Sequence, residues 1–261
     1  MPFTISHVAA VLPFRRPLAR WRVLSAIIVG SMVPDFGFLL PSQPDRFETH
    51  SIFGLYTFCL PVGIASWWLF QRLIRPAVVE LLPDGAYARA RAAPPLDLAF
   101  VAPWLLAAAA VFAGAVTHLV WDGFTHEGAR GVRMIPALDD PVADIAGHHL
   151  LGFKFLQLGS SLVGLIIVVW FAWRDLRAPT LLPTPPRLLA TARRRRWLSG
   201  YACVTLGASG LFFVLQHRWE IVHHHAVRAL ANGIAVAGLR GLAFALIAVS
   251  ACLLVRVKGM A

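Results

Sequence analysis

Apolar residues in this chain come in long unbroken runs separated by short polar stretches, so the pattern has the length of a bilayer crossing rather than the stripe of a surface helix. Five runs reach or approach the roughly 20 residues that a spanning helix needs. They are residues 52–73, 98–121, 155–173, 198–215 and 233–255. A sixth run, residues 23–40, is interrupted by Pro34 and Asp35. Proline removes a backbone hydrogen bond and an ionisable group in a span is costly, so this break marks a helix end or a functional site. Residues 3–14 are apolar but too short to cross, and pair with residues 23–33 as a short N-terminal helical hairpin turning at Arg15 to Arg22. The expected fold is all-α: a polytopic transmembrane helical bundle of about six spans.

Composition supports this. Of 261 residues, 58% are hydrophobic and 14% charged, which excludes an ordinary soluble domain, and nine Trp exclude disorder. A net charge of +11 would raise nucleic-acid binding in a soluble protein. Here the aromatics lie in apolar runs rather than between basic residues, so no nucleic-acid partner is expected and the bilayer itself is the partner. The basic residues instead orient the chain. Arg15, Arg16, Arg20, Arg22, Arg72, Arg75, Arg89, Arg91, Arg174, Arg177, Arg187, Arg193 to Arg196, Arg256 and Lys258 fall on one side, taken as cytoplasmic together with the C-terminus. The other side receives only Arg46, Arg130, Arg133, Lys154, Arg218 and Arg228, while Arg240 lies in the last span and is expected to snorkel outward.

The Pro-rich stretch ahead of Arg193 divides the chain into a membrane-embedded unit (1–178), a Pro/Arg-rich cytoplasmic linker (179–197) and a C-terminal two-span hairpin (198–261). No internal repeat is evident, which removes support for an inverted-repeat transporter. Cys59, Cys203 and Cys252 each sit in apolar sequence and suggest packing, with no disulfide framework.

The orientation has a chemical consequence. Asp35, His50, His118, Asp122, His126, His148, His149, His217 and His223 to His225 all fall at the outer side, leaving only His7 of the ten histidines to be placed. In THLVWDGFTHEG, His118, Asp122 and His126 stand at i, i+4 and i+8, so on a helix they share one face. Imidazole plus carboxylate suits zinc, with manganese or iron as alternatives. A helix end meeting headgroups explains the same residues without an ion. Asp35 in GSMVPDFGFLL and His50 in ETHSIFG bring the set to two histidines and two carboxylates, enough to complete a tetrahedral site or hold an open one. In the N-terminal hairpin His7 and Asp35 lie towards the same end. The triplet His223 to His225 is read as a solvated cluster at headgroup level.

PFTISHVAAVLP, GSMVPDFGFLL, ETHSIFG, THLVWDGFTHEG and KFLQLGSSLVGL, taken in order over residues 1 to about 175, resemble the bacterial membrane proteins of domain-of-unknown-function family 4184. That family resembles inner-membrane metal-dependent hydrolases and, more remotely, the zinc-dependent phospholipase C and P1 nuclease superfamily. The resemblance implies a bacterial inner-membrane location and one or two Zn2+ ions. It implies that Asp35, His50, His118 and Asp122 hold one ion, with Asp122 bridging to a second near His7, and His126 contributing. It departs from those enzymes at His148 and His149, which lack a carboxylate four residues on. By the same analogy Asp35 and Asp122 act in catalysis as proton acceptors. The implied function is a metal-dependent hydrolase of a phosphoester or lipid-like substrate at the extracytoplasmic face. The alternative is a non-enzymatic membrane protein that binds or carries a metal or small molecule.

Overall fold

The structure, a computed structural model, describes residues 4–40, 44–93, 96–145, 148–217 and 226–258. Among these, five helices are long and apolar enough to cross a membrane: Ile52–Val79, Val101–Thr125, Gly152–Arg177, Thr191–Val214 and Val236–Arg256. The fold is an all-α bundle. The shorter elements are α1 (Arg15–Arg20), α2 (Leu24–Gly30) and α3 (Arg46–Thr49). They precede α4, the stretch Ile52–Val79, which widens into π turns at Leu55–Cys59 and Phe70–Ile74. Next come α5 (Asp84–Ala92), α6 (Val101–Thr125) and α7 (Arg130–Met134), then α8 (Gly152–Arg177), α9 (Thr191–His217) and α10 (Ala226–Lys258). An antiparallel hairpin of β1 (Pro141–Ile145) and β2 (His148–Leu151) lies between α7 and α8, an element the hydrophobic pattern does not predict.

The interrupted sixth run forms no single helix of membrane length. Helix α2 stops at Gly30, and the chain continues as a tighter 3-10 helix over Val33–Leu39. Pro34 supplies no N–H to extend an α-helix, and the change of pitch turns Asp35 inward, where it is only 5% exposed. The N-terminal hairpin does form. Thr4–Ala10 is a 3-10 helix, and Val8, Val11 and Leu12 pack with Ile27, Ile28 and Met32 and with Ile167, Val168 and Phe171 of α8. The guanidinium of Arg15 lies 4.6 Å over the Phe171 ring. At the opposite end of the hairpin, the Thr4 hydroxyl donates to Asp35 Oδ2 at 2.7 Å.

The chain packs as two compact units. The first comprises Met1–Gly37, Pro44–Trp67 and Asp97–Ala172. Its centre is the crossing of α2 with α6, where neither backbone leaves room for a side chain. A Cβ on Gly30 would strike the Val111 carbonyl oxygen, and one on Gly114 would strike Ile27 O and Ser31 N. Small residues permit such close approach where lipid supplies no hydrophobic force between helices. Val33, Leu55, Cys59 and Ala115 fill the space beside the crossing. Trp67 is buried against it, its indole N–H donating to Ser25 Oγ at 3.1 Å.

The second unit comprises Phe38–Gln43, Trp68–Leu96 and Trp173–Ala261. Its largest contact is α9 against α10, where Gly241 lies against Ser209 and Thr205, and Tyr201 Oη and Ser250 Oγ are 2.6 Å apart. Ala77, Leu81, Leu189 and Leu253 form its apolar core. Residues 178–190 make no helix but are pinned by arginines. Arg89 donates to Ala178 O at 2.6 Å, and Arg187 donates to Leu82 O at 2.8 Å while stacking 4.0 Å above the Tyr87 ring. Helix α9 begins at Thr191, so Arg193 to Arg196 occupy its first turns. Arg240 does not snorkel outward; it turns inward and donates to Phe38 O at 2.8 Å.

The glycine crossing is directly testable. Gly114→Ala is expected to destabilise the protein by about 1–3 kcal/mol through overpacking, read as a lower unfolding temperature in detergent. Gly123→Ala on the same helix, where the added Cβ meets open space, should gain up to about 1 kcal/mol of helix propensity. Equal unfolding temperatures for the two variants would show that α2 and α6 do not touch.

Candidate metal centre

Four chain segments of the first unit converge beyond the glycine crossing. His118 and Asp122 are one turn apart on α6, one turn past Gly114, and are 0% and 5% exposed. Asp35 arrives on the 3-10 helix after Pro34, and His7 on the N-terminal 3-10 helix. His50 closes α3, which Asp45 caps by accepting from Phe47 N at 3.0 Å. Ser51 caps the start of α4 by accepting from Gly54 N at 2.9 Å. Two caps on either side of His50 therefore fix its backbone.

The side-chain atoms that face the cluster are close together. His50 Nε2 is 3.4 Å from Asp35 Oδ1 and 3.5 Å from Asp122 Oδ2. His118 Nε2 is 3.7 Å from Asp35 Oδ1 and 3.5 Å from Asp122 Oδ2. His7 Nε2 is 3.5 Å from Asp122 Oδ1, and its ring stacks on that of His118 with centroids 3.7 Å apart. The Nε2 atoms of His7, His50 and His118 and the Oδ1 of Asp122 are buried without a hydrogen-bond partner.

Two tautomers follow from the surrounding bonds. His118 Nδ1 lies 2.8 Å from Ser31 O. A carbonyl only accepts, so Nδ1 carries a proton and, in the neutral ring that binds a cation, Nε2 presents a lone pair. His50 Nδ1 lies 2.8 Å from Thr49 Oγ1, whose own proton is directed to Arg46 O at 3.3 Å. His50 Nε2 is therefore a lone pair too. Buried lone pairs of nitrogen and carboxylate oxygen facing one another at these separations repel unless a proton or a cation lies among them. A tetrahedron of donors with bonds of about 2.1 Å has edges of about 3.4 Å, close to the separations here. The residues present fit a divalent ion, and Ser31 O and Thr49 Oγ1 are the outer partners that aim the rings. Two overlapping groups have the spacing of a ligand set: His7, Asp35 and His118, and His50, His118 and Asp122.

His126 joins the same site in a different manner. The Gln157 amide nitrogen lies 3.0 Å from His126 Nε2, and His126 Nδ1 lies 3.3 Å from the Asp122 main-chain O and 3.4 Å from its Oδ2. Lys154 donates to Gln157 Oε1. That bond orients the amide so that its N–H points to His126, which then accepts at Nε2 and presents Nδ1–H to Asp122. Both ring nitrogens are engaged, and His126 packs beside Asp122. Burial, resisted by Asp122 and reinforced by the Arg46 guanidinium, pushes His126 down to about 4.

All six histidines and aspartates expected from the sequence, His7, Asp35, His50, His118, Asp122 and His126, thus meet in one place. Sequence reasoning missed Thr4, Gln157 and Lys154, and treated Arg46 only as a loop charge. Arg46 Nη2 binds Asp122 Oδ2 at 2.7 Å. The signal for Gln157 and Lys154 was their i, i+3 spacing at the polar head of an apolar run. His149 is elsewhere, on the exposed hairpin, where it pairs with Asp144 at 3.3 Å. The side chains of His148 and His217, and residues His223 to His225, lie outside the described residues.

The chain is thus helical, with five apolar helices of membrane length and a buried histidine–aspartate cluster at the ends of its N-terminal elements. The chain belongs to the family of the domain of unknown function DUF4184, whose model matches residues 1–251. The match extends past the N-terminal motifs into the second unit. No curated protein and no solved structure matches the chain.

The lowered His126 makes acid stability informative. In the unfolded chain His126 titrates near 6.5, in the fold near 4, so between these values the unfolded state binds more protons. Its contribution is complete above about 6.5 and is lost as pH falls towards 4. The unfolding temperature of chelator-treated protein should fall across that window, and His126→Asn should flatten the fall. An unchanged slope in the variant would exclude a neutral, buried His126.

Proposed function

We propose that this protein is a metal-dependent hydrolase of the bacterial inner membrane, acting on a phosphoester or lipid-like substrate at the extracytoplasmic face. One observation carries the reading: three imidazole Nε2 atoms and Asp122 Oδ1, buried and without partners, converge with Asp35. His7, Asp35, His50, His118 and Asp122 would hold the ion, Zn2+ foremost, since mixed imidazole and carboxylate donors suit it. The two ligand groups share His118, whose only free nitrogen is Nε2, and a single lone pair serves a single ion. This favours one ion over two. When bound, such an ion polarises a phosphoryl or carbonyl oxygen and lowers the pKa of water.

The chain's own residues supply the rest. Thr4 occupies Asp35 Oδ2 and leaves Oδ1 facing the cluster. Asp122 Oδ1 has no hydrogen-bond partner and is the atom placed to take a proton from an attacking water. Arg46 holds Asp122 Oδ2, and the Lys154, Gln157 and His126 chain packs beside it, ending at the Asp122 main-chain carbonyl. A carrier would need polar groups along the whole crossing, whereas α6 has no charged or hydroxyl side chain between Val101 and Val116.

Metal analysis of detergent-purified protein tests the reading. Wild type and His149→Ala should each hold about one zinc per chain, and His118→Asn and Asp122→Asn far less, at unfolding temperatures that show all four are folded. Equal metal in all four would sink the ligand assignment. Loaded protein should cleave a chromogenic phosphodiester, and the two ligand variants should not; full loading without cleavage of phosphoesters or carboxylic esters would turn the site into a binding site. For orientation, a cysteine at Asp139 should be labelled in intact spheroplasts, in a chain whose native cysteines are serine. One at Leu181 should be labelled only after lysis; the reverse would invert the topology.

A further inference from the structure

We propose that Arg46 is the residue that binds the substrate's negative charge, and that the substrate is a phosphorylated amphiphile. This rests on the metal-centre reading above and narrows it. Arg46 is the one Lys or Arg among the described residues with an ion pair to the cluster carboxylates, 2.7 Å from Asp122 Oδ2. Its side chain is 42% exposed whereas that of Asp122 is 6% exposed, so the guanidinium links the buried centre to the surface. A guanidinium has five N–H donors, and only Nη2 is engaged with a side chain in the cluster. The planar fork of the remaining donors matches two oxygens of a phosphate.

Charge points the same way. Asp35 and Asp122 bring two negative charges and Arg46 one positive, and His50 and His118 as ligands of the ion would be neutral. A divalent cation at the centre turns the local excess from negative to positive. A buried site of that sign is completed by an anion. A neutral ester or amide would leave the excess uncompensated.

The flanking residues supply the apolar half of the argument. Phe47, next to Arg46 on the short α3 and outside the spans, is 85% exposed, and Ile52 and Phe53 at the head of α4 are 63% and 73% exposed. An aromatic ring beside a guanidinium at the end of a membrane helix suits a molecule whose phosphate meets the arginine while its chain lies along the apolar residues. Helix α3 is rigid enough for this. Asp45 caps it, the Thr49 hydroxyl binds Arg46 O, and Cys59 Sγ holds Thr49 O from α4 at 3.4 Å.

Calorimetry on the zinc-loaded full chain in detergent separates the alternatives, with inorganic phosphate and a short-chain phosphatidic acid as probes. Both should bind wild type, the lipid more tightly. Arg46→Gln should weaken both by about tenfold or more, the worth of a charge-assisted hydrogen bond, with zinc content unchanged, and Arg46→Lys should recover part of the loss. Phe47→Ser should weaken the lipid alone. Unchanged phosphate affinity in Arg46→Gln, or loss of zinc from it, would overturn the anion role, the second by making Arg46 a structural partner of Asp122. Equal affinity of wild type for the two probes would overturn the amphiphile. Absence of zinc from wild type would instead defeat the metal-centre reading itself.

Discussion

The contact on which the first unit depends is backbone against backbone, where α2 meets α6 at Gly30 and Gly114. No hydrophobic driving force joins helices in lipid, so closeness must come from surfaces that fit. At this crossing the fit brings Ser31, just past the end of α2, beside His118, one turn past Gly114. The Ser31 carbonyl can then fix the His118 tautomer, and His118 fixes where a cation would sit. A packing requirement and a chemical one are met by the same residues, and a side chain at either glycine would disturb both.

The cluster is expensive to assemble. Two carboxylates and three imidazoles are taken from water, and several of their atoms have no hydrogen bond in return. Such groups in an otherwise apolar bundle point to an occupant rather than to stability. The surrounding polar residues are arranged to aim these atoms: Ser31 for His118, Thr49 for His50, Thr4 for Asp35, and Arg46 for Asp122. Arg46 reaches outward, its side chain 42% exposed.

Much of this was legible in the sequence because membrane chains advertise themselves. Run length marks out the five helices long and apolar enough to cross a membrane. The i, i+4 spacing of His118 and Asp122 predicted a shared face, and they share one. The interrupted run around Pro34 was legible as a break but not as a 3-10 helix, because pitch depends on what the backbone packs against. The β1–β2 hairpin was invisible, being short and exposed with no periodic signal. Gln157 was hidden for a different reason: an amide at the head of an apolar run looks like a boundary residue until its partner, from another helix, is known. Arg240 was misjudged because a lone arginine in a span has two outlets, the interface or a carbonyl, and sequence does not show the Phe38 carbonyl that it meets.

The ring of His7 stacked on that of His118 joins the first described helix of the chain to the second of its long helices. Residues so far apart meet late, because the entropy of closing such a loop must be overcome by the packing of everything between them. The N-terminal hairpin therefore waits, its histidine and aspartate facing each other, until α6 has been made and inserted. Until then no segment owns more than two of the five donors. Partly made chains thus hold scattered pairs of donors, and the assembled cluster belongs only to the finished fold.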